Sequence, residues 1–499
     1  MRKPLRGLAV AMALVVPLSL PAPAAPAIPK GYVLTDPVIR PTDTSIKEGL
    51  SCADANYGWA VVGFLKNNEI GFVQCDMGKK VYIDAFLPKI DQQSLRPLVP
   101  TKVPDYSLFA YTPQVYIHPV VSKAKPKTKV SSVKEFSDIK PCRLVEKDNS
   151  YPGRPHMASG FPMPSQRAKL DEQLVVQVIP VDFADLRTTS QPATDFLDAT
   201  TAIENFWERQ ATNKVDIVFR IPSSYIQLPK KVSEYNLSSK FPNFDGKAYS
   251  DYVKAAVEVS DPQVDFTGVD VVILAHTPKA SAKQIGTFIA EAGMPGSNLI
   301  FQTAEGPIYN TMIQGGDSPR DIHNWMHEFG HMLGVTDSGG VGNMGFDIML
   351  WYGVPELSAW NRFVLGVLQD SQINCVTKAS ASTHWLRPVA WPGSQLEAVV
   401  IPLSESKAIV VESRRRTGYD ASLGKESEGA LVYTVDTTKS GHTGSGPFTI
   451  VGPKRMTKIV MWSLDAPLKK GESVSVEGWK IINLESGSFG DVIKVAKAG

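Results

Sequence analysis

The residues His327-Glu328-Phe329-Gly330-His331, followed by Gly334 and Asp337, read H-E-x-x-H-x-x-G-x-x-D and carry the types and spacing of a divalent metal site. Residues four apart on a helix share a face at about 5 to 6 Å, so two imidazoles there reach one ion at roughly 2.0 to 2.1 Å. Glu328 is the next residue round, beside the ion but not on it. There it can take a proton from water that zinc has acidified to a pKa of about 7. Gly334 tolerates the left-handed conformation that ends a helix, and the chain then turns so that Asp337 returns as a third, oxygen ligand. One coordination position stays open, as catalysis requires. The chain has only eight histidines, and an accidental H-E-x-x-H is expected in roughly one such sequence per hundred or fewer.

The motif needs a helix, and the flanking residues supply one. Ser318-Pro319-Arg320-Asp321 has the form of a capping box with proline at the first helical position. Trp325, Met326, Phe329, Met332 and Leu333 recur at helical spacing and form an apolar side to bury. Upstream, element types alternate. Strands are expected at 174–181, 215–221, 269–275, 299–302 and 309–313, and helices at 194–210 and 246–259. Such alternation implies an α/β sheet packed on helices, with the site on the helix below it. The strand at 309–313 is expected to be the edge that pairs with an extended substrate.

Met349, in the stretch Gly345-Phe346-Asp347-Ile348-Met349, resembles the Met-turn of metzincin peptidases, a hydrophobic floor beneath the ligands. Tyr352 lies one place later than the tyrosine that follows this turn in several metzincins, and it remains a candidate for contact with substrate or transition state. His323, one turn before His327, is a second candidate, set against a reading as an exposed residue at the helix start. His118, His156, His276, His384 and His442 have no metal-like spacing.

These segments together resemble the immune inhibitor A family of secreted bacterial metallopeptidases. The resemblance is carried by His327 to Asp337, by Gly345 to Met349, and by Pro355 to Gly366. It extends to Val178-Ile179-Pro180-Val181-Asp182-Phe183-Ala184-Asp185 upstream. Downstream it includes Val411-Glu412-Ser413-Arg414, Gly418-Tyr419-Asp420 and Glu428 to Tyr433. It covers roughly residues 140 to 499. It implies a zincin fold and a zinc endopeptidase with Glu328 as general base and protein or peptide substrates.

The 499 residues suffice for two to four domains, and a formal net charge of +2 implies neither nucleic acid nor a strongly charged substrate. The basic runs Lys123 to Lys129 and Arg414 to Arg416 are expected on solvated linker or strand faces. Arg2, Lys3 and Arg6 precede an apolar stretch and Ala-Pro-Ala cleavage sites, so residues 1–27 read as an export signal and the product as secreted. No other stretch reaches membrane-spanning length, and a monomer without stable membrane insertion is expected. Four cysteines suit an oxidising compartment. Of three pairings, Cys52 with Cys75 and Cys142 with Cys375 are favoured, the latter tying the entry of the catalytic domain to its exit. One zinc ion is expected; for calcium no D-x-D-x-D-G loop is present.

The expected fold class is an α/β zincin catalytic domain at 140–376, a twisted sheet over the active-site helix. A C-terminal all-β domain, sandwich-like, is expected at 377–499. A small β-rich unit at 28–118, propeptide or accessory domain, would lead into the catalytic domain through a linker at 119–139. The alternative function is a surface-binding or adhesive protein with a vestigial peptidase core.

Overall fold

A computed structural model of the chain describes residues 32–34, 59–66, 69–76, 79–84, 119, 121–147, 157–171, 173–212, 214–237, 246–280, 282–285, 289–292, 300–313, 322–338, 345–349, 355–391, 393–423, 425–439, 446–456 and 465–498. The export signal at 1–27, Cys52, the Ser318–Asp321 box and Tyr352 lie outside the described residues. Near the N-terminus, β1 (Tyr32–Leu34), β2 (Trp59–Lys66), β3 (Glu69–Asp76) and β4 (Lys79–Asp84) form a sheet in sequential order. The β2–β3 hairpin is its centre, with Lys66 opposite Glu69.

The sheet that carries the site is built from β5 (Gln173–Asp182), β6 (Asp216–Arg220), β7 (Ile226–Gln227), β8 (Val271–His276), β9 (Ile289–Ala292) and β12 (Asn310–Ile313). Its order is β6-β5-β8-β12-β9, with β7 also paired to β5. All pairings are parallel except that of β9 on β12. Side chains alternate between the faces of a strand, and β5 divides accordingly. Leu174, Val176 and Val178 share a core with Phe206 and Trp207 of α1 (Leu197–Gln210) and Phe329 of α3 (Ile322–Met332). Ile179 and Val181 share another with Tyr252, Val253 and Val257 of α2 (Gly246–Ser260). Burial on both faces explains why β5 and β8 read as nearly continuous apolar runs.

The sheet departs from the sequence expectation at two strands. The strand at 310–313 is not the edge: β9 lies outside it, antiparallel. The β9 sequence Ile-Ala-Glu-Ala has one β-branched residue and two alanines, so propensity gave it no signal. The run expected at 299–302 contributes β10 (Phe301–Thr303), which pairs only with β11 (Gly306–Ile308) in a separate hairpin.

Beyond α4 (Ala359–Val364) the chain forms two sheets. One has the order β13-β15-β16-β17-β18, from Ile373–Cys375, Ala398–Pro402, Lys407–Arg414, Gly429–Asp436 and Phe448–Ile450. The other is β14-β21-β20-β19, from Ser382–Leu386, Gly490–Lys497, Trp479–Gly487 and Ser473–Val476. Val399, Ile401, Val411 and Val432 meet Ile481, Ile493 and Val495 between the sheets, which makes a sandwich. The opposite face of the five-stranded sheet is buried as well. Val400, Val410, Leu431 and Tyr433 join the same core as α1, α3 and α4. The sandwich and the helical layer therefore share one hydrophobic core.

The domain boundary moves accordingly. β13, expected in the catalytic unit, belongs to the sandwich, since three residues are too few to show alternation. The expected linker docks on the sandwich, with Ser122 Oγ 2.9 Å from Ser488 Oγ and the Lys127 N–H donating to Glu485 at 3.0 Å. Thr128 donates its backbone N–H to Glu485, Ser131 donates to the Thr383 carbonyl, and Phe136 enters the sandwich core. Cys142 and Cys375 are joined, Cα to Cα 5.9 Å, so this disulfide ties residue 142 to the sandwich.

Inside the sandwich His384 is almost fully buried, its ring nitrogens 2.9 Å from Asn374 Nδ2 and 2.8 Å from Ser382 Oγ. Burial pushes its pKa down to about 4. The unfolded chain takes up that proton near its ordinary value of about 6.5, and the folded chain does so only near 4. Stability is therefore full above pH 6.5 and falls as pH drops from 6.5 to 4, by roughly 3 kcal/mol in total. Urea midpoints at pH 7 and pH 4.5 for wild type and His384→Asn test this. The variant should lose less stability over that interval; an equal loss would exclude His384 as the cause.

Candidate metal centre

The motif helix α3 runs from Ile322 to Met332 and packs on α1, whose Trp207 Nε1 donates to the Met326 carbonyl at 3.0 Å. Trp325, Met326, Phe329, Met332 and Leu333 are fully buried, as the apolar spacing requires. Gly334 ends the helix at φ +95°. Its N–H donates to the His331 carbonyl and the Val335 N–H to that of Gly330, the two bonds of a Schellman cap. Two further helix-end carbonyls, of Met332 and Gly334, accept from Ala168 and Ala158. A Cβ on Gly334 would lie 2.8 Å from Arg167 Cδ, besides its unfavourable φ. Gly334→Ala is expected to cost about 1–3 kcal/mol in denaturant unfolding; an unchanged midpoint would contradict this cap.

The cap turns the chain so that Asp337 faces both imidazoles. Asp337 Oδ1 lies 3.1 Å from His327 Nε2 and 3.4 Å from His331 Nε2. All three ligand atoms fall within 4.8 Å of one another. In a tetrahedral zinc site with bonds of roughly 2.0–2.1 Å, ligand atoms sit about 3.3–3.4 Å apart, so this spacing fits such an ion. The far ring nitrogens are also committed. His327 Nδ1 is 2.9 Å from the Ile348 carbonyl and His331 Nδ1 is 2.9 Å from that of Val335. A carbonyl only accepts, so each Nδ1 carries a proton and each Nε2 is the nitrogen that could bind an ion.

Both histidines and Glu328 are buried, while Asp337 keeps about a quarter of its side chain exposed, 26%. Burial works to depress the pKa of His331. The Asp337 carboxylate, its hydrogen bond, the Glu328 carboxylate and the Val335 carbonyl outweigh that and hold it up at about 9. A cation arriving between these residues therefore displaces a proton.

The turn at 345–349 lies against the candidate ligands. Its Ile348 carbonyl holds His327, and its Met349 carbonyl accepts from the N–H of Ser338, next to Asp337. The Met349 side chain is fully buried beneath α3, where a Cβ on Gly330 would sit 2.5 Å from its Sδ. Glycine at the fourth motif position is what lets the methionine approach. His323 lies on the first turn of α3, its side chain outside the described residues.

Asp347, within the Gly345–Met349 stretch, had no role in the sequence reading. It is fully buried, and its two oxygens accept from Met349 N, Ser358 N and Asn361 Nδ2 at 2.8 to 2.9 Å. Burial raises its pKa against those bonds. Arg414 and Arg415, expected on a solvated face, are buried and paired with Glu412, Asp420 and Asp491. Upstream, Asp182 and Asp185 fasten the loop after β5, Asp182 to Arg187 and Asp185 to the Val232 N–H at 3.0 Å.

No protein-family model matches this chain, and no curated protein matches it. Among the described residues, His327, His331 and Asp337 form the one such group with metal-ligand geometry, and no helix is long and apolar enough to cross a membrane.

Proposed function

We propose that this protein is a secreted zinc endopeptidase of the zincin type, related to the immune inhibitor A family. The observation that supports it most strongly is the convergence of His327 Nε2, His331 Nε2 and Asp337 Oδ1, with Glu328 buried beside them. His327, His331 and Asp337 hold the ion. Bound zinc supplies a Lewis acid that polarises the scissile carbonyl and acidifies an attacking water.

The remaining steps fall to the chain's own groups. Glu328 takes the proton from the attacking water and passes it to the leaving amine. The Ile348 and Val335 carbonyls hold each Nδ1 proton, which directs both Nε2 atoms toward the ion. The β9 edge offers backbone pairing to an extended substrate. An unstructured segment suits it best, since folded strands have already spent their backbone donors. The basic and apolar N-terminal segment supports export, and such substrates would then be met outside the cell.

The zinc-loaded chain is expected to cleave unfolded casein, to lose that activity in 1,10-phenanthroline, and to regain it on addition of zinc. Cleavage indifferent to the chelator would overturn the reading.

A further inference from the structure

A continuous chain of buried polar contacts leads from a metal ligand into the sandwich. His327 Nδ1 meets the Ile348 carbonyl, and the next residue, Met349, donates its N–H to Asp347 Oδ1 at 2.8 Å. Asp347 Oδ2 takes Ser358 N at 2.9 Å and Asn361 Nδ2 at 2.8 Å, which fixes the start of α4. The first residue of α4, Ala359, donates its N–H to Glu412 Oε2 at 2.8 Å. Glu412 is on β16, and the Tyr433 hydroxyl of β17 donates to the same oxygen at 2.9 Å while accepting from Trp360 N at 3.3 Å. Arg414 neutralises the other Glu412 oxygen at 2.8 Å and reaches Asp420 at 2.6 Å, with its guanidinium 5.4 Å from the ring centroid of Phe346.

We propose that Asp347 and Glu412 are positioning residues of the metal centre, and that the sandwich is a structural part of that centre. This rests on the metal reading above. The physical reason lies in where the carboxylates sit. Asp347, Ser358, Asn361 and Glu412 have no exposed side-chain surface, so water cannot replace a lost partner. The turn that holds His327 has its backbone direction set by Asp347, and the segment that Asp347 grips is held in turn by Glu412. Outer contacts of this kind orient ligands, and their loss typically weakens metal binding about 10–100-fold. The arrangement also gives a physical role to the Glu-Ser-Arg and Gly-Tyr-Asp segments far downstream of the motif.

The test uses the full chain and zinc alone, by competition with a chromophoric chelator, with the absorption of the cobalt-substituted protein as a report on ligand geometry. Glu412→Gln and Asp347→Asn are expected to bind zinc about 10–100-fold more weakly than wild type and to shift the cobalt bands. Asp491→Asn is the control. It cuts a neighbouring buried network in the same sandwich, with Arg415, Ser413 and Asn483, which meets Arg414 at its backbone carbonyl rather than at the guanidinium, and should lower stability without moving the cobalt bands. Tyr433→Phe removes a single oxygen and serves if the carboxylate variants do not fold; it should move the bands in the same direction.

Wild-type zinc affinity and an unchanged cobalt spectrum in the folded Glu412 or Tyr433 variant would overturn the positioning role and leave the metal reading standing. A cobalt shift in Asp491→Asn equal to theirs would overturn it too. Failure of the wild type to bind zinc would remove both.

Discussion

Glu328→Ala is expected to lower kcat/KM on an unfolded protein substrate by about 10²–10⁴-fold, the range for loss of a positioned general base. Zinc content should stay at one ion per chain. The two outcomes belong together, because Glu328 sits between the histidines in sequence yet is not among the converging ligand atoms. It is buried, only 6% exposed, so bulk water cannot easily take over its proton transfer. kcat is expected to carry most of the loss, with KM little changed, because the carboxylate acts on the proton in flight rather than on bound substrate. Full cleavage with retained zinc would remove Glu328 from the mechanism. Loss of cleavage accompanied by loss of zinc would make it a ligand.

Asp337→Ala is expected to weaken zinc binding more than the roughly 100-fold upper range for outer partners, and to abolish cleavage at sub-micromolar free zinc. Asp337 is the sole member of the trio outside α3, and the Gly334 cap brings it there. With its carboxylate gone, two histidines four residues apart remain, which leaves two of the three protein ligands a catalytic zinc site uses. The apo variant should keep a cooperative unfolding transition, since Asp337 is partly exposed and contributes no core surface. Equal zinc affinity in wild type and variant would remove Asp337 from the ligand set.

Much of this centre was legible because its geometry is local. His327, Glu328, His331, Gly334 and Asp337 span eleven residues, and helix periodicity plus one glycine turn place them without tertiary information. β5, β8, α1 and α2 were legible for a similar reason, each having a strong period or a long apolar run. What the sequence could not show depends on long-range pairing. β9 is weakly β-forming and is held by β12, so its edge position follows from the sheet alone. Arg414 resembles a surface charge in sequence, and becomes a core residue only because Glu412 and Asp420 close around it. Asp347 carries no periodic signal at all. Its partners Ser358 and Asn361 are eleven and fourteen residues away, and their meeting depends on the turn itself.

The Glu328 and Asp337 predictions both depend on one metal ion between His327, His331 and Asp337, and anomalous diffraction at the zinc edge locates it. Crystals of the zinc-loaded chain are expected to show one strong peak roughly 2.0–2.2 Å from both Nε2 atoms and Asp337 Oδ1. A peak elsewhere, or a zinc-soaked crystal with no peak between these three residues, would contradict that placement.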